Sequence, residues 1–293
     1  HAVNISGVAC AAMRQARVGE LSHWKGVAFA NAARHGVYSA LLARAGMTGP
    51  APIFEGQMGF EKQLGVSLGN VGSLFVKRPS TNAPHEGTAS MILNTSIKYW
   101  PAEYHSQSAI EAALFLRKQI EDPSQIKSVV IESHDASVDI IGSEPEKWHP
   151  ETRETADHSL PYITAIALLD GEVTNRQFEP ERFTAPDVLA LLPNVKVERN
   201  ADLSAIYPGA VANIVQVELK DDRKLTKRVD YPLGHAKNPL KDSEVESKFL
   251  FLVAPALGRE GAERVLKHVW KLDEAKNIKE LMRLVKMPGE LKQ

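Results

Sequence analysis

The chain has 293 residues, 43% hydrophobic and 24% charged, with a net charge of -1, an ordinary globular composition with room for one large core or two moderate ones. A charge so near zero gives no grounds for nucleic-acid or membrane-surface binding, which draw on clustered Lys and Arg, so an anionic ligand must be held by local cations. The one cysteine, Cys10, excludes an internal disulfide framework and any cluster needing three or more thiolates from this chain, and no apolar run approaches the ~20 residues that cross a bilayer.

Residues 1–94 read mostly as helix. Residues 1–13 begin inside an Ala/Val/Ile pattern without an N-cap, and residues 26–46 carry Ala30, Ala33, Val37, Ala40 and Leu41 on one side before stopping at Gly46 and Gly49-Pro50. A short helix is predicted near residues 60–64 and a polar loop over 78–88. The glycine-rich stretch 65–72 lacks the Gly-Lys-Ser/Thr of a phosphate loop.

After about Asn94 the pattern changes. Residues 128–134, 212–219 and 224–231 alternate like strands, and Lys220-Asp-Asp-Arg223 supplies a hairpin turn between the last two. Helices are predicted at 107–121, 156–169 and 186–192, and helix returns over 245–254, 262–271 and 278–285. The expected fold is a helical domain with an inserted α+β domain: residues 1–94, then the α+β unit at 95–238, then helical residues 239–293.

Residues 97–107 concentrate the chemistry. Lys98, Glu103 and His105 fall where a predicted strand hands over to a helix, a junction that frees side chains to converge on a ligand. The wording Lys98-x-x-Pro-Ala-Glu103-(aromatic)-His105-Ser-Gln resembles the MmgE/PrpD family, on its 2-methylcitrate dehydratase side. Three further segments agree in order: Arg14-Gln-Ala-Arg17 with Trp24-Lys25-Gly26; Asp157-His158-Ser159-Leu160-Pro161-Tyr162; and Tyr231-Pro-Leu-Gly-His235-Ala-Lys-Asn-Pro239. Leu160-Pro161 is common in the wider family but is not the wording of every methylcitrate enzyme.

The resemblance implies an all-α domain with an α+β lid and an active site in the cleft between them. It implies a fragment lacking the family's N-terminal helical region, consistent with a start at His1. It also implies a homodimer, no cofactor, no metal, and conversion of the tricarboxylate 2-methylcitrate to 2-methylaconitate in propionate catabolism. The place expected is the cytoplasm, or the mitochondrial matrix in a eukaryote. Alternatives are another lyase of the family, acting on citrate or decarboxylating cis-aconitate, and an inert truncated copy serving in binding or assembly.

Each candidate residue has a plainer reading. Lys25, in the first turn of its helix, is by itself a solvated charge; the resemblance makes it, with Arg14, substrate-binding. Lys98 could be an edge-strand lysine, and the resemblance places it in a catalytic pocket. Glu103 could complement a helix dipole, or protonate a leaving hydroxyl; decarboxylase relatives carry His at the comparable place. His105 is either a general acid/base or a cap neighbour. Tyr162 reads by composition as a core-facing ring, and by resemblance as a pocket hydroxyl. His85, His105, His134, His149, His158 and His235 show no metal-ligand spacing.

Overall fold

The structure is a computed structural model that describes residues 1–10, 13, 16, 21–68 and 94–286. Three helices come first: α1 (Ala2–Ala9), α2 (Trp24–Arg44) and α3 (Phe60–Leu64). α1 packs on α2. Its alanines favour helix and α2 runs for 21 residues, yet Ser39 is the one residue of it that is buried; Trp24, Val27, Phe29, Val37, Tyr38 and Leu41 lie exposed along it.

The core belongs to the middle of the chain. A four-stranded sheet has the order β2-β1-β3-β4, from β1 (Ile126–Ser133), β2 (Val195–Arg199), β3 (Asn213–Leu219) and β4 (Lys224–Val229). β1 pairs parallel with β2 and antiparallel with β3, and β3 pairs antiparallel with β4. Val129, Ile131, Val215, Val217 and Leu219 alternate into the core, as strands with one buried face require. The β3–β4 turn uses Asp222 at φ 65°, a left-handed conformation that Asp tolerates.

Helices α4 (Gln107–Arg117), α5 (Asp135–Ile141), α6 (Arg153–Ala156), α7 (Leu160–Asp170), α8 (Pro180–Phe183), α9 (Pro186–Leu191) and α10 (Ala201–Ile206) surround the sheet. α4 packs on α7, β3 and β4, and α7 also meets β2. Nine of the eleven residues of α7 are buried, so this helix is apolar all round, as a helix enclosed by its neighbours must be. Ser159 caps it, accepting from the Tyr162 N–H at 3.0 Å. Three helices close the chain: α11 (Asp242–Leu257), α12 (Arg259–Val269) and α13 (Lys279–Leu284). α11 and α12 pack together, with Ala262 and Val265 of α12 buried.

Helices and a small mixed sheet agree with the α+β expectation. Three details differ from the sequence reading. Residues 95–98 form no strand; among the described residues a backbone bond runs from the Ile97 N–H to the Gly234 carbonyl at 2.8 Å. The predicted 156–169 helix is two helices, α6 and α7, broken at Asp157-His158. β2, α5, α8 and α10 were not anticipated. Among the described residues no helix is long and apolar enough to cross a membrane.

Candidate active site

The loop ahead of α4 is shaped by its own side chains. Gln107 Oε1 accepts from the Trp100 N–H at 3.1 Å, while Gln107 Nε2 donates to the Trp100 carbonyl at 3.1 Å, a clasp that rounds the Pro101-Ala102-Glu103 turn. Glu103 caps the 3-10 turn Tyr104–Ser106 by accepting from the His105 N–H at 2.6 Å, and its other oxygen lies 2.9 Å from His105 Nδ1. The Glu103 and His105 side chains are each 12% exposed. Burial alone would raise the Glu103 carboxyl. Hydrogen bonds from His105, with the electrostatic influence of His105 and His158, outweigh it and hold the group below the usual carboxylate range.

A backbone bond carries this loop to the second half of the site: the Glu103 N–H donates to the Asp157 carbonyl at 2.9 Å. Asp157 and His158 occupy the break between α6 and α7, and Lys25 reaches them from the first turn of α2. Lys25 Nζ lies 2.6 Å from Asp157 Oδ1 and 2.8 Å from His158 Nδ1, and those two atoms are 2.5 Å apart. A neutral His158 Nδ1 can accept from Lys25 or donate to Asp157 but not both, so its role follows from its tautomer. Burial lowers the Lys25 ammonium against the opposing effect of Asp157. Asp157 is lowered too, its own burial outweighed by hydrogen bonds from His158 and Lys25. The 2.6 Å contact favours the charged pair.

Lys98 is exposed, and its ammonium makes no ion pair among the described residues. It is close enough to Lys25 to lower it, and it likewise lowers Lys248, where burial is the larger cause. Lys248, from α11, donates to the carbonyls of Lys98 and of Tyr99, the latter at 3.1 Å. The Lys98 segment is thus held at both ends. Gly234, at φ 90°, lies so close to the Ile97 carbonyl that an added Cβ would overlap it. That close approach gives the Tyr231–Pro239 segment a structural purpose.

Lys25 and the Glu103–His105 pair are therefore linked through Asp157 and His158, and Lys98 lies near enough to act electrostatically on Lys25. Tyr162 does not join them: its ring is fully buried between Phe178 and Phe183, and its hydroxyl donates to the Gln177 carbonyl. Burial raises its pKa, weakening it as a proton donor. It takes the core role that composition indicates rather than the pocket role the resemblance implies. Arg14 and His85 lie outside the described residues. Asp157 and His158 were read from sequence only as part of a resemblance segment, with His158 also tested as a metal ligand, and not as site residues; nothing marked Lys248.

Two cavities flank the loop. One, of about 590 Å³, is lined by Ser96, Tyr104, His105, Tyr207, His235 and Lys237. The other, of about 510 Å³, lies between Tyr99, Trp100 and the Lys248, Phe251 and Leu252 side of α11. No group of three or more His, Cys, Asp or Glu among the described residues could hold a metal ion. Two ammonium groups beside two carboxylates and two imidazoles can bind a polyanion and move protons at it.

Residues 100–274 match the MmgE/PrpD C-terminal domain and residues 1–67 the MmgE/PrpD N-terminal domain. The chain is 26% identical to cis-aconitate decarboxylase of Mus musculus over 269 residues, 88% of this chain and 51% of that protein. The match to the Homo sapiens cis-aconitate decarboxylase is 26% over 268 residues, 88% of this chain and 52% of that protein. It is 31% identical to 2-methylcitrate dehydratase of Escherichia coli (strain K12) over 147 residues, 47% of this chain and 30% of that protein. The chain spans about half the length of the decarboxylases it matches.

Proposed function

The chain belongs to the MmgE/PrpD family, whose matched relatives here are lyases by name, and from that premise we propose that it serves a hydro-lyase that converts 2-methylcitrate to 2-methylaconitate without a cofactor. The observation that carries this reading is the meeting of Lys25 and Lys98 with the Glu103–His105 pair and the Asp157–His158 pair.

Lys25 and Lys98 hold two substrate carboxylates. A C–H bond next to a free carboxylate resists ionisation; an ammonium against that carboxylate stabilises the enediolate that develops. The Asp157–His158 pair takes the proton from carbon, the C–H electrons form the double bond, and the hydroxyl leaves as water with a proton from the Glu103 side. Glu103 is ionised at rest, so it must receive that proton first.

The second reading is decarboxylation of cis-aconitate, favoured by the longer stretch over which the named decarboxylases match. Glu103 weighs against it, since the resemblance places His there in decarboxylases. Carbon dioxide release from cis-aconitate, set against water loss from 2-methylcitrate, separates the two. Homodimer formation, a role in propionate catabolism, and residence in the cytoplasm or mitochondrial matrix belong to the same proposal. Sedimentation of the full-length protein tests the dimer.

A further inference from the structure

Glu103 is hydrogen-bonded to a histidine whose far nitrogen meets a phenol. His105 Nδ1 lies 2.9 Å from Glu103 Oε1, and His105 Nε2 lies 3.3 Å from the Tyr207 hydroxyl. With His105 as the neutral imidazole, an ionised carboxylate opposite Nδ1 requires the proton there, which leaves the Nε2 lone pair to accept from Tyr207. Tyr207 and His105 both line the 590 Å³ cavity, whereas Glu103 does not.

The phenol is held in place from behind. The Tyr207 ring stacks on His134, with centroids 4.4 Å apart and planes 16° apart. His134 is fully buried, its Nδ1 accepts from the Ser137 N–H, and its Nε2 has no hydrogen-bond partner among the described residues. Burial, with a smaller contribution from His105, pushes His134 down to about 4, so this ring stays neutral and does not compete for the proton. The other titratable groups around the chain of bonds, among the described residues, are Tyr104, His235 and Lys237, which line the cavity, His158, which acts on Glu103, and Asp135, which acts on His134.

We propose that Tyr207 is a positioning residue for proton supply, the outer member of a Tyr207–His105–Glu103 relay that carries protons from water in the 590 Å³ cavity to the site proposed above. The Tyr207 O–H bond breaks as Nε2–H forms, Nδ1–H breaks as Oε1–H forms on Glu103, and a hydronium in the cavity, equivalent to the proton that the Asp157–His158 pair gives up to solvent, reprotonates the phenolate oxygen and is left as water. One proton enters and one leaves at each member. Glu103 thereby becomes the acid that a departing hydroxyl needs, while Lys25 and Lys98 remain engaged with substrate carboxylates. The inference rests on the lyase reading for its use of Glu103, but the relay itself is readable without turnover.

Tyr207→Phe keeps the ring on His134 and removes the hydroxyl. In the full-length protein labelled with nitrogen-15 histidine, His105 should show the Nδ1–H tautomer in the wild type, and its Nε2 resonance should move in Tyr207→Phe; loss of the signal in His105→Gln assigns it. With 2-methylcitrate, kcat should fall roughly ten- to hundredfold, toward the lower end of general-acid contributions, with KM within about twofold and the solvent deuterium isotope effect altered. Unmoved His105 resonances overturn the relay, as do moved resonances with unchanged kcat and isotope effect. If the wild type turns over no polycarboxylate, the lyase reading fails while the resonances still decide the Tyr207–His105 coupling.

Discussion

Lys25 Nζ and Asp157 Oδ1 lie 2.6 Å apart, and this contact joins α2 to the break between α6 and α7. With side chains 11% and 27% exposed, the pair is largely shielded from water, so removing one partner strands the other charge. Lys25→Met should cost about 1–3 kcal/mol in urea denaturation, less than the full penalty of a deeply buried pair because Asp157 keeps some water. It should also lower kcat/KM for a tricarboxylate by about a hundredfold or more, the loss of one charge-assisted contact to substrate.

Acid sensitivity follows from the carboxylates. Glu103 and Asp157 are both lowered in the fold, so their stabilisation is fully present above the unfolded carboxylate range and is lost as pH falls through the lowered values. Glu103→Gln should therefore destabilise the chain most at about pH 5–7, and the gap to wild type should narrow toward about pH 3. Denaturation midpoints at a series of pH values measure the gap; a constant difference would mean that Glu103 does not titrate in this environment.

Lys98 separates chemistry from stability. Its side chain is exposed and unpaired among the described residues, so Lys98→Ala should change stability by no more than about 0.5 kcal/mol while abolishing turnover. Gly234→Ala is the complement: the added Cβ meets the Ile97 carbonyl, so both the melting temperature and kcat should fall as the Lys98 segment shifts.

Tyr162 gives the opposite pattern. Tyr162→Phe leaves the Gln177 carbonyl without its donor inside the core, which should cost about 1–3 kcal/mol. Turnover per folded molecule should stay within about twofold of wild type. Loss of turnover with unchanged stability would put the hydroxyl back in the pocket.

Much of the architecture was legible because buried faces repeat. The alternation over 128–134, 212–219 and 224–231 corresponds to β1, β3 and β4, and the short helix read near 60–64 is α3. β2 was missed because Val195–Arg199 offers two alternating valines in five residues, and its pairing with β1 is parallel and distant in sequence. Local pattern carries no trace of such a partner. The strand expected at Lys98 failed for a related reason: among the described residues Ile97 has its backbone bond to Gly234 and no ladder forms beside it. In the site, the Lys98–His105 wording drew the eye to one loop. The groups that meet that loop from α11 and the α6–α7 break, Lys248, Asp157 and His158, depend on tertiary packing that spacing alone does not reveal.

The most direct measurement is to offer the full-length protein 2-methylcitrate, citrate and cis-aconitate separately, in chelator-treated buffer, and follow the products by proton NMR. Formation of 2-methylaconitate, lost in Lys98→Ala, is the predicted result. Itaconate with carbon dioxide from cis-aconitate, or no reaction of any of the three with folded protein, would contradict the dehydratase reading.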